Sequence, residues 1–323
     1  MFAFMIMTSA RFENVRRMMR WIYRPENFYV ISIDLLANSS MSEEDLQALD
    51  KPNIKIVRPC PVTWGGISQV TSLFNGMRTA TEMGQWRYFI NLSDTDVPIK
   101  SLSAISAQLD QYAQQGKLNF VRSWGMTTTP KMVEMKPSAP PELEEMMAMR
   151  PDVKFLVHRQ LANMFSSSKS SPVMEIKWRV SLHVTDVSYQ KTLIVRPLFR
   201  EEAIGRMKFF ARHRPHFGKM WSILHRDTCE WMLNYEQLPE FFLQFGGTFC
   251  PDESMLHTLL NSEDNPHRDT IMANAFRFNK ASPIAINDHV LPKLQASEDF
   301  FARKLSQKQT TKLEAWLDKL AAQ

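Results

Sequence analysis

Phe2-Ala-Phe-Met-Ile-Met7 and, twenty residues on, Asn27-Phe-Tyr-Val-Ile-Ser-Ile-Asp34 are the stretches whose reading decides the fold. Each is a short apolar run without the periodicity of an amphipathic helix, which is how a strand buried on both faces reads. Between them Val15, Met18, Met19 and Ile22 recur at helical spacing on an arginine-rich segment. A strand–helix–strand opening of this kind begins nucleotide-binding α/β folds, whose ligands lie outside the carboxyl ends of the strands. Asp34 stands at such an end, where a carboxylate can accept hydrogen bonds from a nucleobase or a ribose. No glycine-rich phosphate loop follows either strand, so neither a dinucleotide fingerprint nor a P-loop is present.

Working outward, the 323 residues suffice for one large α/β domain or two smaller ones. A hydrophobic content of 44% and a charged content of 23% describe a globular chain. The net charge of +5 favours anionic ligands such as nucleotides or an acidic membrane surface, and is too small to argue for nucleic acid. Cys60, Cys229 and Cys250 are odd in number and lack metal-ligand spacing, which argues against a disulfide framework and a zinc site. Residues 2–7 are too short to cross a bilayer and lack a basic flank, and no later run approaches the roughly 20 apolar residues of a spanning helix. A cytoplasmic location is the expectation, with a peripheral contact at the inner membrane surface compatible with it.

Further strands are expected at 54–57, 88–92, 119–122 and 218–224, and helices at 42–49 (capped by Ser42 with Asp45), 101–114, 225–233 and 311–321. Val62-Thr-Trp-Gly-Gly-Ile-Ser68 leads into a helix with Ile67, Val70, Phe74, Met77 and Ala80 inward. The glycine pair at 65–66 permits close backbone approach, and Trp64 reads equally as a core aromatic or as a stacking platform for a sugar. The strand at 88–92 runs into Ser93-Asp94-Thr95-Asp96, closed by Pro98. Aspartates there suit a metal-bound diphosphate or a sugar hydroxyl, although turns are rich in aspartate for their own reasons. From about 126 to 175 prolines and a serine run break the pattern around a methionine-rich helix near 143–149, and the stretch reads as an insertion or mobile loop over the site and not as a separate domain. The basic, aromatic segment Arg206–Pro215 reads as a solvated helix face or as an acceptor or membrane contact.

Gly246-Gly-Thr-Phe-Cys-Pro-Asp-Glu-Ser-Met-Leu-His-Thr-Leu-Leu260 sets a turn and then starts a helix at Pro251. Asp252 and Glu253 fall at its positive end, ahead of the apolar Met255, Leu256, Leu259 and Leu260. A carboxylate so anchored is a rigid place for a general base, and equally a complement to the helix dipole.

Taken together, these blocks resemble the core-2/I-branching β-glycosyltransferases, the family that includes the protein xylosyltransferases. The resemblance rests on Tyr23-Arg-Pro-Glu-Asn-Phe-Tyr29 with Asp34, Trp64-Gly-Gly66, and Phe89-Ile-Asn-Leu-Ser93 with Asp96, Pro98, Ile99 and Lys100. It continues through Gly218 to Arg226, Pro251-Asp-Glu-Ser254 with His257-Thr258, Pro266-His267 with Asp269-Thr270, and Phe301-Ala-Arg-Lys304. The order is collinear, and the stretch at about 126–205 is left unmatched within a single domain spanning 1–323. The resemblance implies a GT-A-like fold with a central mixed sheet flanked by helices, binding a UDP-sugar at the strand ends. It implies inverting transfer of N-acetylglucosamine or xylose to a glycan or glycolipid hydroxyl, for glycan or surface polysaccharide synthesis. By position it makes Glu253 the catalytic base, Arg303 and Lys304 the diphosphate clamp, Asp34 the uridine contact and Asp96 a donor-sugar contact. Trp64, Gly65, Trp221 and Arg226 become candidate acceptor or donor contacts.

That assignment fits the chemistry, since an inverting displacement needs one base and a cationic partner for the departing diphosphate. The family uses fixed cations in place of a metal, so no cofactor is expected, although Asp94-Thr95-Asp96 offers Mg²⁺ or Mn²⁺ an alternative seat. Two other readings compete: a non-catalytic glycan-binding module, which need not keep Glu253 or the basic pair, and a phosphoester hydrolase holding metals on Asp94, Asp96 and Asp252.

Overall fold

The computed structural model describes residues 1–9, 11–35, 42–125, 174–183, 188–197, 200–248, 250–278 and 285–323. β1 (Phe2–Thr8) sends Phe2, Phe4 and Ile6 into one core and Ala3 and Met5 into another. A strand apolar on both faces must lie inside a sheet covered on both sides. β1 accordingly pairs in parallel with β2 (Phe28–Ile33) and with β4 (Tyr88–Ser93), and β2 pairs in parallel with β3 (Ile54–Val57).

Two helices cover one face of this sheet. α1 (Phe12–Ile22) buries Val15, Met18, Met19 and Ile22, the expected stripe, and α4 (Leu102–Gln114) buries Leu102, Ile105 and Leu109. α2 (Glu43–Ala48) opens on the expected capping box, Asp45 N donating to Ser42 Oγ at 3.1 Å and Ser42 N to Asp45 Oδ2 at 2.8 Å. The other face carries α3 (Ser68–Met83) and the helices that follow the second half of the sheet. β6 (Asn119–Gly125) and β9 (His216–His225) pair antiparallel, and β9 is also antiparallel to β4. β10 (Ile271–Met272) closes the far edge beside β6. The seven strands run β10-β6-β9-β4-β1-β2-β3, and this helix-flanked mixed sheet is the α/β architecture expected.

Three differences from the sequence reading matter. β7 (Met174–His183) and β8 (Ser188–Pro197) pair antiparallel in a stretch for which no strand was expected; residues 126–173, including the methionine-rich helix expected near 143–149, lie outside the described residues. α5 (Arg200–Arg212) precedes β9, and α6 (Arg226–Asn234) follows it as expected. Between α6 and the glycine pair an unexpected helix, α7 (Leu238–Gly246), packs Phe241 and Phe245 into the core. Finally, Pro251–Glu253 is a single 3₁₀ turn, and the α-helix proper, α8, spans only Met255–Leu260. Cys250 enters the turn with a left-handed φ of 51°, and Ser254, at φ −136° and ψ −45°, separates the carboxylates from the helix.

A second sheet decides where the basic residues go. β11 (Arg277–Phe278) pairs in parallel with β12 (Phe301–Ala302), which pairs antiparallel with β5 (Val97–Pro98). Its apolar backing joins Val97 and Ala302 to Trp21 of α1 and to Leu294 of α9 (Leu291–Gln295). α10 (Thr311–Ala321) adds Leu313 and Leu317 to the same cluster. α10 is tied to α1 by an Arg17–Glu314 ion pair of 2.6 Å and by Trp21 Nε1 donating to Asp318 Oδ1 at 3.0 Å.

Candidate functional site

A cleft of about 1030 Å³ opens along the edge where β1, β2 and β4 end and β9 begins. Asp34, Trp64, Trp221, Glu253, Arg303 and Lys304 all line it. Their sequence spacing is wide, and the sheet order brings them together.

At the β2 end Asp34 is fixed by two backbone bonds: its N donates to Thr8 O at 3.0 Å, and its Oδ1 accepts from Val62 N at 2.8 Å. Trp64 is 71% exposed on the rim, which excludes the core reading. Gly65 lies in the turn behind it at φ 73°, a conformation that favours glycine, and is not itself on the wall. Its carbonyl accepts from Cys250 N at 2.8 Å, so this turn is pinned to the segment that presents Glu253.

The basic end is the product of the second sheet. Arg277 of β11 and Arg303, just past β12, converge beside Asp96, just before β5. Arg303 stacks on Trp221 at 4.2 Å, with its Nε 3.8 Å from Asp96 Oδ1. The Lys304 backbone is clamped on both sides, its carbonyl accepting from Ile286 N at 2.8 Å while Leu305 N donates to Thr95 O at 2.7 Å. Arg277 packs over Phe301 at 4.5 Å and donates from Nη2 to Asn91 O at 2.8 Å. Although its side chain is only half-buried as a whole, its Nε and Nη1 are shielded from solvent and have no hydrogen-bond partner among the described residues. Desolvation pushes the Arg277 pKa down to about 10, with Asp96 opposing and Arg303 adding to the shift, so the group stays charged at neutral pH.

Asp94 and Asp96 do not act as a pair. Asp94 Oδ2 accepts from Thr8 Oγ1 at 2.8 Å, and burial raises its pKa. Asp96 turns away, its Oδ2 accepting from Ser93 N and Ser93 Oγ at 2.5 and 3.0 Å. At 1% exposure Asp96 lies behind Arg303 and not on the cleft wall. Two carboxylates committed to separate partners do not make the converging oxygen set that Mg²⁺ or Mn²⁺ requires. Among the described residues no group of three or more His, Cys, Asp or Glu side chains is placed to hold a metal, the arrangement a hydrolase reading needs.

Glu253 sits at the other end of the cleft. The four apolar residues of α8, Met255, Leu256, Leu259 and Leu260, are fully buried, each worth about 1.5–3 kcal/mol, so the turn ahead of them is firmly seated. α8 is also laced to β9. His257 Nε2 donates to Lys219 O at 2.9 Å, and Thr258 Oγ1 accepts from His216 N at 3.0 Å. Lys219 in turn reaches back to the carboxylate, Nζ to Glu253 Oε1 at 3.5 Å. His257 is fully buried, and desolvation depresses its pKa to about 4.

Arg226 requires a correction. It begins α6 at the opposite end of β9, bonded through Nε to Glu230 at 2.6 Å and through Nη2 to Thr81 O at 3.3 Å, and it stacks on Trp86. Arg226 fastens α6 to α3 and does not reach the cleft. Conversely, Arg122, Lys219 and Arg277 line the cleft and were not singled out from the sequence. The only local signal for Lys219 was a charge beside a glycine inside an apolar strand, and for Arg277 a charge within an apolar run.

The mouse protein "Xylosyltransferase 1" is 25% identical over 282 residues, which are 85% of this chain and 23% of that protein. "Xylosyltransferase oxt" of Drosophila pseudoobscura pseudoobscura is 33% identical over 131 residues, 39% of this chain and 14% of its own. The chain thus spans about a quarter or less of the length of these relatives. Among solved structures, S. aureus TarS gives a TM-score of 0.27 at 14% identity, over 41% of this chain and 23% of that one, a likeness too slight to bear on fold or function. The model of the family described as Core-2/I-Branching enzyme matches residues 2–206, more than half of the sequence, and the chain belongs to that family.

Proposed function

We propose that this chain is an inverting, metal-independent glycosyltransferase that moves a sugar from a UDP-sugar to a glycan or glycolipid hydroxyl in β linkage. The observation that carries the reading is the lateral order of the cleft. Asp34 lies at β2, the cations Arg303 and Lys304 beyond β1 and β4, and the Lys219–Glu253 pair at β9. Nucleoside, diphosphate and acceptor hydroxyl would occupy these places in turn. Xylose and N-acetylglucosamine are the donors most consistent with the family, and the shared name of the relatives favours xylose.

In this mechanism the acceptor oxygen attacks the anomeric carbon while its proton passes to the Glu253 carboxylate. The bond from the anomeric carbon to the β-phosphate oxygen breaks, and UDP leaves with the electron pair. Arg303 and Lys304, with Arg277 beside them, meet the charge that grows on the diphosphate in a partly dry site, where fixed charges act most strongly. Asp96 acts on the donor through Arg303: a buried carboxylate 3.8 Å from Nε aims the guanidinium. Trp64 offers an exposed ring for a sugar face.

The test is Glu253→Gln, assayed with a panel of UDP-sugars. UDP affinity is expected to stay within about twofold while transfer falls by about 100-fold or more, the scale of a general base. Near-normal turnover would remove Glu253 from the mechanism.

A further inference from the structure

Resting on the glycosyl-transfer reading, we propose that the acceptor carries an anionic group, a carboxylate or a phosphate, and that Arg122 binds it. The starting point is the register of β6 against β9. Val121 faces Ser222 and Ser123 faces Gly218, so Arg122 alone stands opposite Lys219, Met220 and Trp221, and β9 bulges there. Bulges re-aim side chains and cluster beside active sites. Here Arg122 lines the same cleft as Glu253 and Lys219, one strand further from the Asp34 end.

From β2 to β6 the sheet order is β2-β1-β4-β9-β6, four steps of about 4.8 Å, or roughly 19 Å. Arg122 therefore lies across β9, the strand of Lys219, from the nucleoside end. On the proposed reading the diphosphate already has Arg303, Lys304 and Arg277, which the second sheet groups against Trp221 of β9 and Asn91 of β4. What remains next to Arg122 is the space for the acceptor.

Its partners point the same way. Lys219, the neighbouring cation on β9, is engaged by Glu253. The half-buried Arg122 guanidinium, by contrast, has no hydrogen-bond, ion-pair or ring partner among the described residues. Guanidinium groups in such positions are normally paired, because partial desolvation of an unpaired charge is costly. A planar fork of donors at the acceptor end suits a bidentate anion better than it suits a neutral hydroxyl. The bulge is also a built feature: a Cβ on Gly218 would come within 2.2 Å of Arg122 O, so the glycine allows the β6 backbone to lie where it does.

The experiment uses the whole chain, first saturated with UDP, and matched sets of methyl glycosides of glucose, galactose and N-acetylglucosamine. Within each set only the group at C6 differs: hydroxymethyl, carboxylate or phosphate. Binding is read by calorimetry and transfer by UDP release from UDP-sugars. An anionic member is expected to bind about 10-fold or more tighter than its neutral counterpart, the worth of a charge-assisted hydrogen bond. Arg122→Gln should bring that ratio to within about twofold, and Arg122→Lys should keep part of it, with UDP affinity a control for folding. A carboxylate preferred over a phosphate would identify a uronic-acid acceptor, and the reverse a phosphorylated one. The proposal is overturned by equal binding of neutral and anionic members, by a preference that survives Arg122→Gln, or by no binding of any member to a protein that binds UDP. A protein that binds neither UDP nor any UDP-sugar fails the glycosyl-transfer reading itself.

Discussion

Gly218→Ala is the substitution whose effect can be worked most directly from the geometry. An added Cβ would lie 2.2 Å from Arg122 O, 2.3 Å from His257 Cε1 and 2.6 Å from His257 Nε2. The closest unstrained approach of a carbon to a carbonyl oxygen is about 3.3 Å, so β6 and the bulged stretch of β9 must separate by about 1 Å. Neither neighbour yields cheaply: one is backbone, and the other is a fully buried ring bonded to Lys219 O. Overpacking of this kind costs about 1–3 kcal/mol, equivalent to a fall in Tm of about 2 to 6 °C. The displacement also runs through His257 to α8 and through Lys219 to Glu253, and a 1 Å misplacement at the chemistry costs about 100-fold in rate. The cationic end lies on other elements, so UDP binding should persist. Differential scanning calorimetry, UDP titration and transfer kinetics on the variant check all three. A variant with wild-type Tm and turnover would refute the claim that β6, the bulged stretch of β9 and α8 are in rigid contact.

Replacing Arg303 and Lys304 together by alanine should weaken UDP by about 10-fold or more while acceptor affinity changes less, because the lost charges face the diphosphate; unchanged UDP affinity by calorimetry would sink the clamp. Transfer should survive EDTA, since Asp94 and Asp96 hold separate partners; loss of activity restored by Mn²⁺ would show a catalytic metal. His257 gives a pH signature: its folded pKa of about 4 lies below the unfolded value near 6.5, so between these pH values the unfolded chain binds the extra proton. Its contribution is therefore fully present above about pH 6.5 and is lost as pH falls toward 4, by roughly 3 kcal/mol in all. His213, His216 and His225 are depressed in the same sense, so the test is the difference in denaturant unfolding between wild type and His257→Gln across pH 4–7.5, and parallel curves would refute the assignment.

The parts of this fold that were legible in the sequence are those set by short-range chemistry. The apolar runs of β1, β2 and β4, the stripe of α1 and the reciprocal cap at Ser42 and Asp45 each follow from a few adjacent residues. What escaped was non-local. Asp94 and Asp96 diverge because the turn gives one to Thr8 of β1 and the other to Ser93, a choice that spacing does not reveal. Arg226 shares a sequence block with Trp221, yet five residues of strand place them about 17 Å apart, at opposite edges of the sheet. Arg122, Lys219 and Arg277 became visible only once β9 was known to insert antiparallel between β4 and β6, and β11 to join β12. The helix expected at Pro251 is instead a 3₁₀ turn followed by a short α-helix, because Ser254 between them departs from helical geometry.

The reversal of β9 carries a consequence for how such a protein can diversify. Donor-side residues hang on the turns that leave parallel strands and on the second sheet, whereas Lys219 and Trp221 belong to the beginning of a strand that runs the other way. Segments that lead into β9 therefore grow over the Glu253 end alone. On the proposed reading, insertions and substitutions there would trade one sugar-accepting molecule for another while most of the nucleotide seat, built from different connections, is inherited intact.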